Sequence, residues 1–141
     1  MSTWRLGQIQ EAILLTLGAK GGRAKEVKFR LRRLLAADRG LGRRPRSNKE
    51  VERSYVFYDD NPPGTGTDVG FTDYQAFALL AAIMLLEHGF PQMTVVHLLR
   101  RIRHQLEPAH SRCLEMDPKI LFNEEELRRL ARPGMIAFGA T

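Results

Sequence analysis

The sequence predicts a mainly helical protein with a small two-stranded β wing, and three observations lead to this fold class. Residues 76–86 are eleven consecutive apolar residues, typical of a helix surrounded by protein and too few to cross a bilayer, which takes about 20. Two segments near the N-terminus repeat apolar residues at helical spacing and are separated by glycines. Residues 51–58 show a two-residue alternation and are rich in valine and aromatic residues, which favours a strand.

The first two helices are predicted over residues 6–17 and 23–37. The apolar stripe of the first consists of Leu6, Ile9, Ile13 and Leu17. That of the second consists of Ala24, Val27, Leu31, Leu34 and Leu35. A short helix, a glycine turn and a basic helix form a helix-turn-helix arrangement, whose second helix can enter the major groove of DNA.

The opposite face of the second helix is basic and has one aromatic residue. Its cations are Lys25, Arg32 and Arg33, with Lys28 and Arg30 on the flanks. Phe29, in their midst, could touch thymine methyl groups or a sugar in the groove. We prefer packing of Phe29 beneath the next segment, because exposed phenylalanine is uncommon.

The β wing is predicted over residues 41–58, with strands at 41–44 and 51–58. Its cations are Arg43, Arg44, Arg46 and Lys49. Flexible cations without an acid partner in a wing usually contact the phosphates of DNA. The loop that follows, residues 61–70, has the glycine pattern GxGxxxG. We interpret it as a linker rather than a nucleotide-binding turn, because the spacing exceeds the dinucleotide fingerprint and no Walker lysine follows.

The apolar run belongs to a helix predicted over residues 73–88. Thr72 and Gln75 form a capping box in front of it, while Gly89 and Pro91 end it. Because this helix is apolar on every side, we expect it to lie at the centre of the fold.

A further helix is predicted over residues 93–106, ending before Pro108. Its apolar seam, which could pack on the preceding helix or join two chains, consists of Val95, Leu99, Ile102 and Leu106. Its outer face consists of Arg100, Arg101, Arg103 and His104. Residues 107–141 are predicted to be a tail with one short helix that begins at Asn123, and residues 135–138 could dock on the body or on a partner protein.

Positive charge is concentrated in one part of the sequence. The net charge of the 141 residues is +6, yet residues 20–53 contain thirteen Lys and Arg against four acids, and residues 54–99 contain no Lys or Arg. Such a distribution is the footprint of a polyanion site. A basic face kept for solubility is the alternative.

No motif indicates catalysis, a cofactor or a metal. The four histidines form no HExxH pattern, and His110 with Cys113 amounts to half of a zinc site at most. We therefore expect a binding protein rather than an enzyme. The single cysteine and the absence of a signal-like or membrane-spanning segment predict a soluble protein of the cytoplasm.

The order of these parts resembles the DNA-binding half of MerR-type winged-helix regulators, over about residues 4–106. The segment VKFRLRRLLAADRGLGRRPR, starting at Val27, looks like the recognition helix and the approach to the wing. Residues 53–58 look like the second strand of the wing. Residues 71–86, the Gly89-Phe90 turn and Leu98-Leu99 are similar to the paired helices behind it.

The resemblance implies sequence-specific binding of double-stranded DNA by a homodimer, in bacterial transcription at the nucleoid. Residues 1–106 would then be the DNA-binding domain. Its contacts to the groove and its rims would be Lys25, Lys28, Arg32 and Arg33. The four wing cations would contact the DNA backbone. Arg53 and Tyr55 would support these contacts. The tail lacks paired cysteines, so the metal or drug sensing of the family is not carried over.

Two other functions remain open from the sequence. A protein-interaction adaptor would use the central helix, the seam and residues 135–138 as docking surfaces, and its basic face would meet an acidic partner. RNA binding is less favoured, because the only aromatic platform in view is Tyr55, Phe57 and Tyr58.

Overall fold

The computed structural model describes residues 3–42, 55–59 and 69–116, and in this part of the chain the protein is helical. Its four helices are α1 (Leu6–Leu17), α2 (Gly22–Leu41), α3 (Asp73–Glu87) and α4 (Gln92–Glu115). The chain divides into two compact units, Met1–Glu107 and Pro108–Thr141. The short helix predicted from Asn123 lies outside the described residues.

The hydrophobic core of the first unit draws on all four helices, and α2 packs on both α1 and α3. Its most deeply buried apolar side chains include Leu31, Leu34, Phe57, Leu79, Ile83, Val95 and Leu99. The seam of α4 is part of this core: Val95 and Leu99 are buried, and Ile102 and Leu106 pack against them from the edge. The seam is therefore occupied within the chain.

The two N-terminal helices form where the sequence predicts them. The bounds of α1 are confirmed, and Gly18, in the left-handed region at φ 63°, lets the amide of Ala19 donate to the carbonyl of Leu14 over 2.9 Å. The second helix extends to Leu41 rather than ending at residue 37. Its additional turn is anchored by Asp38, whose side chain is wholly buried.

The capping box of α3 is confirmed. The amide of Gln75 donates to Thr72 Oγ1 over 3.2 Å, and the amide of Thr72 donates to Gln75 Oε1 over 2.9 Å. These two bonds satisfy donors that a helix start otherwise leaves unpaired. Both polar side chains lie in a largely buried setting, so the position of α3 is fixed at its first turn.

The predicted end of the fourth helix at Pro108 is wrong, because α4 continues through this proline to Glu115. Proline lacks the amide hydrogen that would bond to the carbonyl four residues earlier, but its fixed φ is compatible with a helix. One hydrogen bond is lost, while the bonds before and after the proline keep the helix continuous.

The predicted two-stranded wing is wrong for the described residues, which contain no strand. Leu41, expected to start the first strand, is the last residue of α2. Residues 55–58, expected to end the second, are all buried instead of alternating between core and solvent. Their chain bends, and its amides bond to a side chain of α2 rather than to another strand.

Extended backbone pairs at one place in the described ranges. Trp4 and Phe71 form an isolated antiparallel bridge, with reciprocal N–H to carbonyl bonds of 2.7 and 2.8 Å. The Trp4 indole N–H also donates to Asp73 Oδ1, in the first turn of α3. The segment before α1 is thereby tied to the segment that leads into α3.

Candidate nucleic-acid interface

The four cations that the sequence assigns to the recognition helix lie on the exposed side of α2. Lys25, Lys28, Arg32 and Arg33 are all exposed. The rotation of α2 is set by its opposite side, where Val27, Leu31, Leu34 and Leu35 are buried at helical spacing. The packing of the core therefore turns the basic side toward solvent.

These cations differ from two other arginines of the same helix. Arg23 pairs with Glu87 of α3 over 3.0 Å, and Arg30 pairs with Glu26 one turn earlier over 2.8 Å. Within the described ranges, no acid pairs with Lys25, Lys28, Arg32 or Arg33. Their positive charge is uncompensated locally, which concentrates the potential on one strip of α2.

Phe29 lies within this basic strip and is 59% exposed. The preferred interpretation from sequence, that it packs beneath the next segment, is wrong. The guanidinium carbon of Arg33 lies 5.6 Å from the centroid of the Phe29 ring, within the range of a cation–π contact. The outward side of α2 thus presents a flat apolar surface beside a cation.

A buried ion pair fixes the C-terminal half of α2 against α4. Arg100 Nε donates to Asp38 Oδ1 over 2.9 Å, and the same guanidinium donates to the carbonyls of Asp38, over 2.7 Å, and Gly42, over 2.9 Å. The amides of Val56 and Phe57 donate to Asp38 Oδ2, each over 3.0 Å. A buried pair with its remaining lone pairs and protons satisfied in this way is the arrangement that offsets desolvation.

Arg103 holds the bent segment 55–59 to α4. Its guanidinium donates to the carbonyls of Tyr55 and Tyr58 over 2.6 and 2.9 Å, and to Asp59 Oδ1 over 2.6 Å. Burial lowers the pKa of Arg103, but hydrogen bonds to Asp59 and Glu107 outweigh burial and raise it. A single guanidinium thereby donates hydrogen bonds to two carbonyls of the bent segment.

The outer face predicted for α4 is therefore wrong at two of its four positions. Arg100 is buried and Arg103 is largely covered, whereas Arg101 and His104 are exposed as expected. The sequence contains one signal for this arrangement. Asp38 continues the apolar stripe of α2 at helical spacing from Leu31, Leu34 and Leu35, and an acid in such a stripe needs a buried cation.

The remaining predicted site residues divide into two groups. Tyr55 is buried in the core, its ring edge-on to that of Tyr58 at 5.9 Å and beneath the guanidinium of Arg100 at 5.4 Å. It belongs to the support behind α2 rather than to the surface. The others lie outside the described residues: Arg43, Arg44, Arg46, Lys49 and Arg53.

Neither a metal site nor a membrane span is found in the parts of the chain that the structure describes. No three His, Cys, Asp or Glu side chains there come together as a metal would require. None of the described helices combines the length and the apolar character needed to cross a membrane.

Comparison of the sequence and the structure with known proteins finds no relative. The chain matches no protein-family model, no curated protein and no solved structure.

Proposed function

We propose that this protein binds double-stranded DNA through the exposed side of α2. The observation that carries the proposal is the strip of Lys25, Lys28, Arg32 and Arg33, which has no acid partner among the described residues. Two neighbouring arginines of α2 are neutralised by glutamates, so acids are available on this surface but do not reach the strip. A surface designed only for solubility would mix the two signs.

The dimensions of α2 suit the major groove of B-DNA. A helix with its side chains is about 10–12 Å wide, and the groove is about 12 Å wide. In this position Lys side chains reach phosphates, and Arg32 or Arg33 can bond two acceptors of a guanine. Phe29 would meet a thymine methyl group, which makes the binding sequence-specific.

The helix-turn-helix part of the MerR-type resemblance supports this proposal, and the wing does not enter it. We extend the proposal to a bacterial transcription regulator that acts by binding and not by catalysis. A homodimer reading two half-sites would double the phosphate contacts. Because the α4 seam is occupied within the chain, such a dimer would have to form through another surface.

The first experiment is fluorescence anisotropy of the purified protein on random duplex DNA over a series of salt concentrations. Each neutralised phosphate contributes about −0.9 to the slope of log K against log salt, so four contacts on α2 predict a slope of about −3 to −4 per chain. A slope near zero would contradict the proposal. Sedimentation of the complex gives the number of chains on the DNA.

The matched variants are two double charge reversals with the same change in net charge. Arg32→Glu with Arg33→Glu is expected to weaken DNA binding at least about tenfold, because it replaces two attractive phosphate contacts with repulsive ones. Arg101→Glu with Arg112→Glu, at exposed positions of α4, is expected to change it less than about threefold. Equal losses of DNA affinity in the two double variants would mean that binding depends only on the net charge of the protein, which would contradict a DNA-binding surface on α2.

A protein-interaction adaptor is the alternative, and three exposed apolar residues around the turn between α3 and α4 favour it: Met84, Phe90 and Met93. Large exposed apolar side chains are typical of docking surfaces. Charge reversal at Arg32 and Arg33 would leave such an interface intact. If the protein binds no duplex DNA even at low salt, the adaptor becomes the favoured function.

A further inference from the structure

An open cleft of about 300 Å³ lies beside the basic strip of α2. Among the described residues, three arginines line it, Arg5 from the start of α1 and Arg32 and Arg39 from α2, around an apolar surface that includes Leu35, Tyr58 and Phe71. In the same described part of the chain, no acid lines this cleft or pairs with any of the three arginines. Its volume is at the lower end of the range for small-molecule sites.

The electrostatics of the cleft favour an anion. The N-terminus of α1 lies at the cleft, because Arg5 and Leu6 both line it, and the partial positive charge of a helix N-terminus adds to the three guanidinium charges. Tyr58 supplies no countercharge, since burial raises the pKa of its phenol despite the opposing effect of Arg39. The Arg39 guanidinium lies 5.8 Å from the Tyr58 ring centroid, so a cation stands directly over the apolar floor.

The lining therefore has two chemically distinct parts. Guanidinium groups bind carboxylates and phosphates with paired hydrogen bonds, while the partly exposed Leu6 and Val69 offer apolar surface to a ring or a short chain. A free inorganic ion would use only the first part. We propose that this cleft is a binding site for a small organic anion, with a carboxylate or phosphate head and an apolar body about the size of one aromatic ring.

The chain contains its own reporter for this site. Trp4 is the only tryptophan, it precedes Arg5, and its backbone pairs with that of Phe71 in the cleft wall. Binding can therefore be followed by tryptophan fluorescence in the absence of DNA, with titration calorimetry as a second readout. The probes are phenyl phosphate, phenylacetate, benzyl alcohol and inorganic phosphate.

We expect saturable binding of both aromatic anions, at least about tenfold tighter than that of benzyl alcohol, which lacks the charge-assisted hydrogen bonds, or of inorganic phosphate, which lacks the apolar body. Binding of inorganic phosphate as tight as that of phenyl phosphate would overturn the proposal, because the apolar floor would then contribute nothing. Absence of binding by both methods would overturn it as well.

Substitutions at Ala36 test the location without touching the core. Ala36 lines the cleft but is exposed on α2, where glutamate and glutamine are both good helix formers. Ala36→Glu places an acid among the arginines and is expected to weaken phenyl phosphate binding at least about tenfold relative to the neutral, equal-sized Ala36→Gln. Equal affinity of these two variants would place the ligand elsewhere and overturn the proposal.

Arg39→Gln provides the second test, with Lys25→Gln as its control of equal charge change on the same helix. Removal of Arg39 is expected to weaken the aromatic anions about tenfold or more, whereas Lys25→Gln, outside the cleft lining, is expected to leave them within about twofold. Circular dichroism of each variant verifies that the helices are intact. Equal losses would indicate diffuse attraction by a basic surface and contradict a defined site.

The cleft shares Arg32 with the basic strip, so a bound anion would occupy a cation that the DNA proposal also needs. This coupling rests on the proposed function, whereas binding in the cleft does not. Saturating phenyl phosphate is expected to weaken duplex binding about threefold to tenfold at constant ionic strength, the contribution of about one phosphate contact. Ligand binding without this effect would refute the coupling alone.

Discussion

The guanidinium of Arg100 and the carboxylate of Asp38 form an ion pair inside the protein, with Nε 2.9 Å from Oδ1 and side chains that are 3% and 0% exposed. The pair connects α4 to the last turns of α2, and the same carboxylate accepts the amides of Val56 and Phe57. One acid therefore joins three parts of the chain. The junction holds the C-terminal end of α2, the helix that carries the basic strip, against α4.

Breaking the pair is expected to be costly. Arg100→Met should lower the free energy of unfolding by about 3–5 kcal/mol, because it leaves a buried carboxylate without its cation. Urea denaturation measures the loss. Glu26→Gln in the exposed pair with Arg30 is the control, with an expected change within about 0.5 kcal/mol.

The double variant Asp38→Leu with Arg100→Met tests whether Asp38 contributes to stability beyond its ion pair with Arg100. Apolar replacement of both partners is often neutral or stabilising elsewhere. Here it should remain destabilising by about 2 kcal/mol or more, because the amides of Val56 and Phe57 lose their acceptor in a buried setting. Recovery of wild-type stability in urea would contradict the role we assign to Asp38.

Arg103→Ala is expected to reduce the free energy of unfolding by about 1–3 kcal/mol. The part-buried carbonyls of Tyr55 and Tyr58 would lose a shared charged donor, and hydrogen bonds to charged groups contribute more to stability than neutral ones. Arg101→Ala, at an exposed position of the same helix, should change it by less than about 0.5 kcal/mol. Thermal or urea unfolding of the two variants side by side provides the comparison.

Phe29→Ala should weaken duplex binding with little effect on stability. The ring is largely exposed, so its removal creates no cavity, but it takes away the apolar contact to the groove and should cost about threefold to tenfold in affinity. Leu15→Ala is the matched control, since Leu15 is 82% exposed and lies on α1 rather than on α2. Unchanged affinity for Phe29→Ala would exclude the ring from the interface.

Stability should fall at alkaline pH because of Tyr74. Burial raises the pKa of this phenol to about 12, although nearby Arg103 opposes the shift. In the unfolded chain the phenol loses its proton near pH 10, so between about pH 10 and 12 the folded state binds more protons and the free energy of unfolding decreases as pH rises.

The measurement is the urea midpoint at pH 8 and pH 11. Tyr74→Phe removes this titration and should show a smaller decrease than the wild type. A part of the decrease should persist in the variant, because the pKa of Tyr58 is also raised by burial. Identical decreases in the two proteins would exclude Tyr74 as the source.

Local rules were sufficient for much of the helical framework. The apolar spacing around Ile9 and Ile13 and the Thr72–Gln75 cap are decided by neighbours in sequence, so α1 and the start of α3 could be predicted. The exposed cations of α2 followed from the same periodicity. These features depend on contacts within one or two helical turns.

The errors involve contacts between distant residues. Alternation and composition predict a strand over residues 51–58, but in its described part, residues 55–58, Asp38 and Arg103 bond to the backbone and all four side chains are buried. The spacing of the apolar seam predicts that Arg100 lies on the outer face of α4, but its ion-pair partner, Asp38, lies 62 residues earlier in the chain. The cleft likewise combines residues of α1, α2 and the segment before α3, which no local pattern relates.

The separation between Asp38 and Arg100 also constrains the order in which a nascent chain can fold. During synthesis Asp38 leaves the ribosome 62 residues ahead of Arg100. Closing the core on α2 before Arg100 emerges would bury a carboxylate without its cation, which is strongly unfavourable. We therefore expect the N-terminal helices to complete their packing only once α4 has been made, and a truncated chain ending before Arg100 to remain accessible to chaperones and proteases.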